Sequence, residues 1–166
     1  MKNLFLLIVS LFVVKFGVVF AAPDAFNPKS KDFGERLIAA KTFATWCGYC
    51  RQGLEAEAKS IASGEKIRSD ERVVEVIIVT PDQYLPTLSF LKKIGLQKKV
   101  MVVTQDQLDL WKVELFPTTL LFQKGRLLKA VVGETPKEVI WKEIDLILPP
   151  LASGTQFPPE TKGNDF

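Results

Sequence analysis

The chain has 166 residues, 47% of them apolar and 25% charged, which is the make-up of one globular domain. Its net charge of +3 comes with no basic cluster in the sequence, and the pairs Lys92-Lys93 and Lys98-Lys99 read as solvated surface, so nothing points to nucleic acid as a partner. Two cysteines and no histidine exclude a closed zinc site within one chain, because such a site takes four ligands drawn mostly from Cys and His.

In chain order, Met1-Lys2-Asn3 is a short positive start, Leu4 to Phe20 is almost wholly apolar, and Ala21-Ala22 follows. That is the layout of a secretory signal peptide over 1–21, with Val19 and Ala21 as the small residues of the cleavage site and Ala22 as the mature start. The run is also long enough to remain as an uncleaved anchor. Lys15 within it is costly in a bilayer unless its ammonium snorkels to the surface. Either way the cysteines end up outside the cytoplasm. Residues 22–35, with Pro23, Pro28 and Gly34, read as a polar linker. Residues 149–166, with Pro149, Pro150, Pro158 and Pro159, read as a flexible tail.

Between these ends, Arg36 to Ala44 reads as a strand and Cys47 to Ser63 as a helix, with Leu54, Ala58 and Ile61 on one stripe and Gly64 as its stop. Val73 to Thr80 is β-branched and nearly continuously apolar, as in an interior parallel strand. Pro86 opens the next helix, with Leu88, Leu91 and Ile94 inward and Gly95 as its stop. A short strand, Val100 to Thr104, and a short helix, Gln105 to Lys112 with Leu108 and Trp111, come next. Thr118 to Gln123 and Arg126 to Val132 are strands joined by Lys124-Gly125, a tight hairpin signal. Pro136 to Leu148 is the last helix, with Val139, Ile140, Ile144 and Ile147 inward. The order β-α-β-α-(β-α)-β-β-α implies an α/β domain with one mixed central sheet and helices on both faces.

The two cysteines stand as Cys47-Gly48-Tyr49-Cys50 where the first strand gives way to the first helix. A Cys-x-x-Cys at such a junction reads as a dithiol redox centre. Unpaired N–H groups and the macrodipole at the helix N-terminus favour an anion, so Cys47 is the expected attacking thiolate. Cys50, about one turn on, resolves the mixed disulfide. A purely structural bridge closing so short a loop would remove little unfolded-state entropy.

Phe43-Ala44-Thr45-Trp46-Cys47-Gly48-Tyr49-Cys50 resembles the active-site segment of the thioredoxin superfamily. Ala-Thr-Trp-Cys is most similar to the periplasmic TlpA-like branch, and the Gly-Tyr dipeptide to periplasmic disulfide isomerases. The resemblance implies a thioredoxin-like domain over 36–148. The stretch from about Pro81 to Val113 corresponds to a TlpA-like αβ insertion before the cis-proline loop. It identifies Leu115-Phe116-Pro117-Thr118 as that loop, with Phe116-Pro117 cis and facing the cysteines. Cys47 and Cys50 are then catalytic, and Trp46, Gly48, Tyr49, Phe116 and Pro117 contact the substrate.

The sequence departs from the family twice. Where thioredoxins carry a buried acid, six residues before the first cysteine, stands Lys41, and where TlpA-like reductases often carry Glu, three after the second, stands Gly53. Lys41 is expected either to snorkel to solvent or to favour a thiolate by its charge. The whole implies an exported, periplasmic thiol–disulfide oxidoreductase that needs no metal or other cofactor, acts on protein thiols or disulfides, and draws electrons from a membrane protein. Reductase and isomerase are the favoured directions. A disulfide-donating oxidase and a non-catalytic binding module are the alternatives.

Overall fold

The computed structural model describes residues 22–149. The leader or anchor expected over 1–21, and 150–166 of the expected tail, lie outside them. The described residues form a five-stranded mixed sheet and four α-helices. β1 (Leu37–Thr42) is followed by α1 (Gly48–Ala62), β2 (Val73–Val79), a 3-10 turn (Pro81–Gln83) and α2 (Tyr84–Lys93). Then come β3 (Val100–Val102), α3 (Gln105–Leu110), β4 (Thr118–Gln123), β5 (Arg126–Val132) and α4 (Lys137–Ile147).

The strand order is β3-β2-β1-β4-β5, with β1 parallel to β2, β2 parallel to β3, and β4 antiparallel to both β1 and β5. β1 is thus central and covered on both faces, which is why Leu37-Ile38-Ala39-Ala40 is apolar without alternation. On one face Ile38, Ala40, Val76, Ile78, Leu120 and Phe122 pack against Leu108 of α3 and Trp111. On the other, Ile77 and Val79 pack against Leu54 of α1 and Leu91 of α2, and Leu37, Ala39 and Leu121 against Trp141 and Ile144 of α4. Lys124 and Gly125 both have positive φ, 50° and 74°, the requirement of a two-residue turn that follows the twist of its strands.

Several expectations are corrected. α2 starts at Tyr84 after the 3-10 turn, so Pro86 is its third residue and not its first. The site still lies in the first turn, where no intrahelical partner is lost. Thr87, not Leu88, takes the buried position one turn before Leu91, and Leu88 is exposed. Ile61, at the far end of α1, and Val139 are exposed as well, while Trp141 is buried beside Ile144. Thr104 is not strand but the N-cap of α3, in a capping box with Gln107.

The expected linker is tied into the domain. The Phe26 N–H donates to the Val102 carbonyl (2.7 Å), and the Val102 N–H donates to the Asp24 carbonyl (2.8 Å), so this stretch runs parallel along the outer edge of β3. Phe26 and Phe33 are buried, and the Phe26 ring lies 5.7 Å from that of Phe122 and 5.8 Å from that of Trp111. Phe26→Ala should therefore destabilise the domain by about 3–5 kcal/mol, the usual cost of emptying a buried aromatic site. The urea midpoint measures it, and an unchanged midpoint would show that the stretch is dispensable.

Candidate active site

β1 delivers the chain to the site. The Phe43 N–H still donates to the Ile78 carbonyl (3.1 Å), and both Phe43 and Ala44 are buried. Thr45 is then held by one acceptor, because its N–H (3.0 Å) and its hydroxyl (2.8 Å) both donate to Gln83 Oε1 in the 3-10 turn. Cys47 follows as the N-cap of α1 with extended backbone, and its Sγ accepts from the Cys50 N–H at 3.1 Å. The sulfur therefore meets a backbone donor that the helix leaves unpaired. The two cysteines are joined in a disulfide with their Cα atoms 5.3 Å apart. Cys47 is 6% exposed and Cys50 0%, so an attacking partner can reach only the first sulfur.

A second loop faces the first. The Phe116-Pro117 bond is cis, and the Phe116 carbonyl oxygen lies 3.5 Å from Cys47 Sγ. Thr42, the last residue of β1, accepts from the Thr118 N–H (2.7 Å) and donates to the Thr118 carbonyl (3.2 Å), with both residues buried. The Thr118 hydroxyl in turn donates to the Leu115 carbonyl (2.7 Å). Trp46 and Tyr49 are each 70% exposed, and the Trp46 ring sits 5.7 Å from that of Phe116. A Cβ on Gly48 would meet nothing within 4 Å, so the space above the first turn of α1 is open. Cys47, Cys50, Trp46, Phe116 and Pro117 thus meet in one place, with Gly48 and Tyr49 on the adjoining turn.

At Lys41 the charge pattern differs from the expectation. Lys41 Nζ donates to Glu134 Oε1 at 2.9 Å, so its ammonium is matched by a carboxylate and does not act as a lone cation. Glu134 follows Gly133 in the turn after β5, and that turn is pinned to the cis-proline loop by the Gly133 N–H donating to the Pro117 carbonyl (2.8 Å). The carboxylate lies against α1 at Gly53, one turn past Cys50, in the space a side chain there would fill. Gly53 is therefore needed for this close approach, and Glu134 supplies an acid that neither usual sequence position holds. Its only sequence signal was the pair of departures at Lys41 and Gly53.

Further down the groove between α1 and α4, Lys98 bridges Glu57 (2.7 Å) and Glu75 (2.8 Å), and Lys137 reaches Glu57 at 2.9 Å. Burial alone would raise the Glu57 carboxyl, but hydrogen bonds and charge from Lys98 and then Lys137 outweigh it and hold the carboxyl below its ordinary range. Burial likewise opposes the Lys98 ammonium, and Glu75 and Glu57 outweigh it, so Lys98 is raised. Among the described residues, no group of three or more His, Cys, Asp or Glu side chains is placed to hold a metal ion.

No protein-family model and no curated protein sequence matches the chain. Solved structures do. A thiol-disulfide isomerase from Corynebacterium glutamicum aligns over 81% of this chain and 99% of its own, with a TM-score of 0.58 at 14% identity. A DsbF homologue from Corynebacterium diphtheriae aligns over 79% and 90%, with 0.54 at 16% identity. The exposed lipoprotein thioredoxin Etrx1 of Streptococcus pneumoniae aligns over 70% and 88%, with 0.51 at 21% identity. At these identities the likeness establishes the fold, and the fold of this chain is thioredoxin-like.

The Glu57 network gives a pH dependence. A carboxyl depressed on folding contributes stability that is present above its unfolded value, near 4.5, and is lost as pH falls through its lower folded value. Glu57→Gln should lower the urea midpoint at neutral pH and flatten its decline below about pH 4.5. Parallel declines in both proteins would show that Glu57 contributes nothing to the acid limb.

Proposed function

We propose that this chain is an exported protein thiol–disulfide oxidoreductase that works on extracytoplasmic proteins as a reductase or isomerase. The observation that supports it most is the Cys47–Cys50 disulfide, with Cys47 at the N-terminus of α1 and against the carbonyl before cis-Pro117. Thiol–disulfide oxidoreductases are also among the proteins whose fold it shares. In the reducing direction the Cys47 thiolate attacks a substrate disulfide. A mixed disulfide forms and the first substrate sulfur leaves as a thiolate that takes up a proton. The Cys50 thiolate then attacks Cys47 Sγ, closes the intramolecular disulfide, and releases the second substrate sulfur. Two electrons pass from the cysteine pair to the substrate, and a dithiol donor, expected at the membrane, restores the pair.

Trp46, Gly48, Tyr49, Phe116 and Pro117 are the proposed substrate surface. Among the described residues the Phe116 N–H makes no hydrogen bond, which leaves it free to pair with an extended peptide in the manner of strand addition. The exposed rings of Trp46 and Tyr49 add contact area beside it. Cys50 must lose its proton before it attacks, and it is fully buried. Glu134, whose carboxylate lies against Gly53 one turn along α1 from Cys50 and is held by Lys41, is the proposed acceptor.

Insulin reduction by dithiothreitol tests the reading, and a non-catalytic binding module would give no acceleration. Cys47→Ser should abolish exchange, and Cys50→Ser should accumulate mixed disulfides visible on non-reducing gels. Trapping by Cys47→Ser alone would reverse the two roles. Glu134→Gln should slow release of the mixed disulfide roughly tenfold near neutral pH, with recovery as the pH rises and hydroxide takes over the proton. A pH-independent loss would make Glu134 a structural residue only.

A further inference from the structure

The lysines stand in singles and pairs in the sequence, but the fold gathers them. β1, β2 and β3 all run toward the end of the sheet that carries Cys47. At the other end lie the loop from α2 to β3 and the β4–β5 hairpin. Residues 92–99 hold four lysines and no acid, and the hairpin reads Lys124-Gly125-Arg126. Lys29 packs on Gly125, and the Lys99 ammonium lies 5.9 Å from the centre of the Phe33 ring, which draws the 29–36 stretch to the same end. Lys29, Lys31, Lys92, Lys93, Lys99 and Arg126 are all exposed and form no ion pair among the described residues, against two exposed acids of the same stretch, Asp32 and Glu35, of which Glu35 pairs with Lys124. Around the cysteines the balance is reversed, with Asp82, Asp106 and Glu114 against Arg51 and Lys112.

The course of the chain picks out the same end. Asp24–Phe26 runs parallel to β3, so traced backwards from Ala25 the chain heads for the end of β3 that begins after Lys99. The apolar run Leu4 to Phe20 stops four residues before Asp24, whose carbonyl is fixed to the Val102 N–H. Four residues span at most about 14 Å.

We infer that the basic end of the domain is a docking face for anionic phospholipid headgroups, which points the cysteines away from the bilayer. A negative leaflet attracts clustered Lys and Arg close to its surface, and the attraction dies away within a Debye length of about 8–10 Å. β1, with six residues, is about 20 Å long. The acids around Cys47 therefore stand outside the repulsive range of the same field. The inference rests on charge placement, not on the redox reading, and so holds for a chain that starts at Ala22; in a chain that keeps its apolar run the chain direction adds to it.

The test uses the chain from Ala22 to Phe166, which contains the whole sheet and its cores, and vesicles of phosphatidylcholine with or without phosphatidylglycerol. Co-sedimentation should show binding to the anionic vesicles only, abolished by high salt. The triple variant K92E/K93E/K99E should bind at least tenfold more weakly, and so should K29E/K31E/R126E, which changes the other side of the same face. Charge reversal at the cysteine end, R51E/K112E, should leave binding unchanged. Cys47 of the reduced, vesicle-bound protein should react with a bulky maleimide as fast as in solution. Equal binding to neutral vesicles, loss of binding in R51E/K112E, protection of Cys47, or tighter binding to a DNA duplex than to the anionic vesicles would each overturn the inference.

Discussion

The site depends on one pair of hydrogen bonds. Thr42 closes β1 and Thr118 opens β4, and the Thr42 hydroxyl serves both the N–H and the carbonyl of Thr118 in the buried interior. The cysteine loop leaves from Thr42, and the cis-proline loop arrives at Thr118. Pro117 has no N–H, so Thr118 brings the first backbone donor after the bend. A buried donor without a partner costs about 1–3 kcal/mol. The same two bonds that satisfy this donor also fix the Phe116 carbonyl against Cys47. Everything proposed about substrate alignment follows from that fixed separation.

Much of the fold was legible because its signals are local. The limits of β4 and β5 match the sequence reading residue for residue, since Lys124-Gly125 supplies both positive-φ positions of the turn. The central strands showed as unbroken apolar runs because neither face meets water. The misses have a common cause. Phe26 and Phe33 sit in a stretch with no period of two or of 3.6, so only tertiary contact reveals that they belong to the core. Sequence alone sets no preference for Trp141 over Val139, because the apolar residues of α4 outnumber those its buried stripe can take. Gln83, which accepts both hydrogen bonds of Thr45, carried no sequence signal.

The electrostatics were the least legible part, since charges far apart in sequence act together only after folding. Lys41 looked like a cation beside two sulfurs, but Glu134, 93 residues on, neutralises it. Gly53 looked like the loss of an acid, but it is the gap that a carboxylate from another element occupies. The basic end of the sheet has the same character. A net charge of +3 carries no hint that its sources are divided between two poles.

The stretch over Asp24–Phe26 has one more consequence, for how copies of the domain can meet. The outward N–H and C=O of Val102 are both taken, and β3 is only three residues long. Among the described residues this leaves β5 as the one long open edge of the sheet, with Leu127, Leu128 and Val132 exposed along it. An open edge is a template for pairing with another chain. Among the described residues, two copies joined through β5 would use the long open edge of both sheets, which favours a closed symmetric pair over a growing fibre.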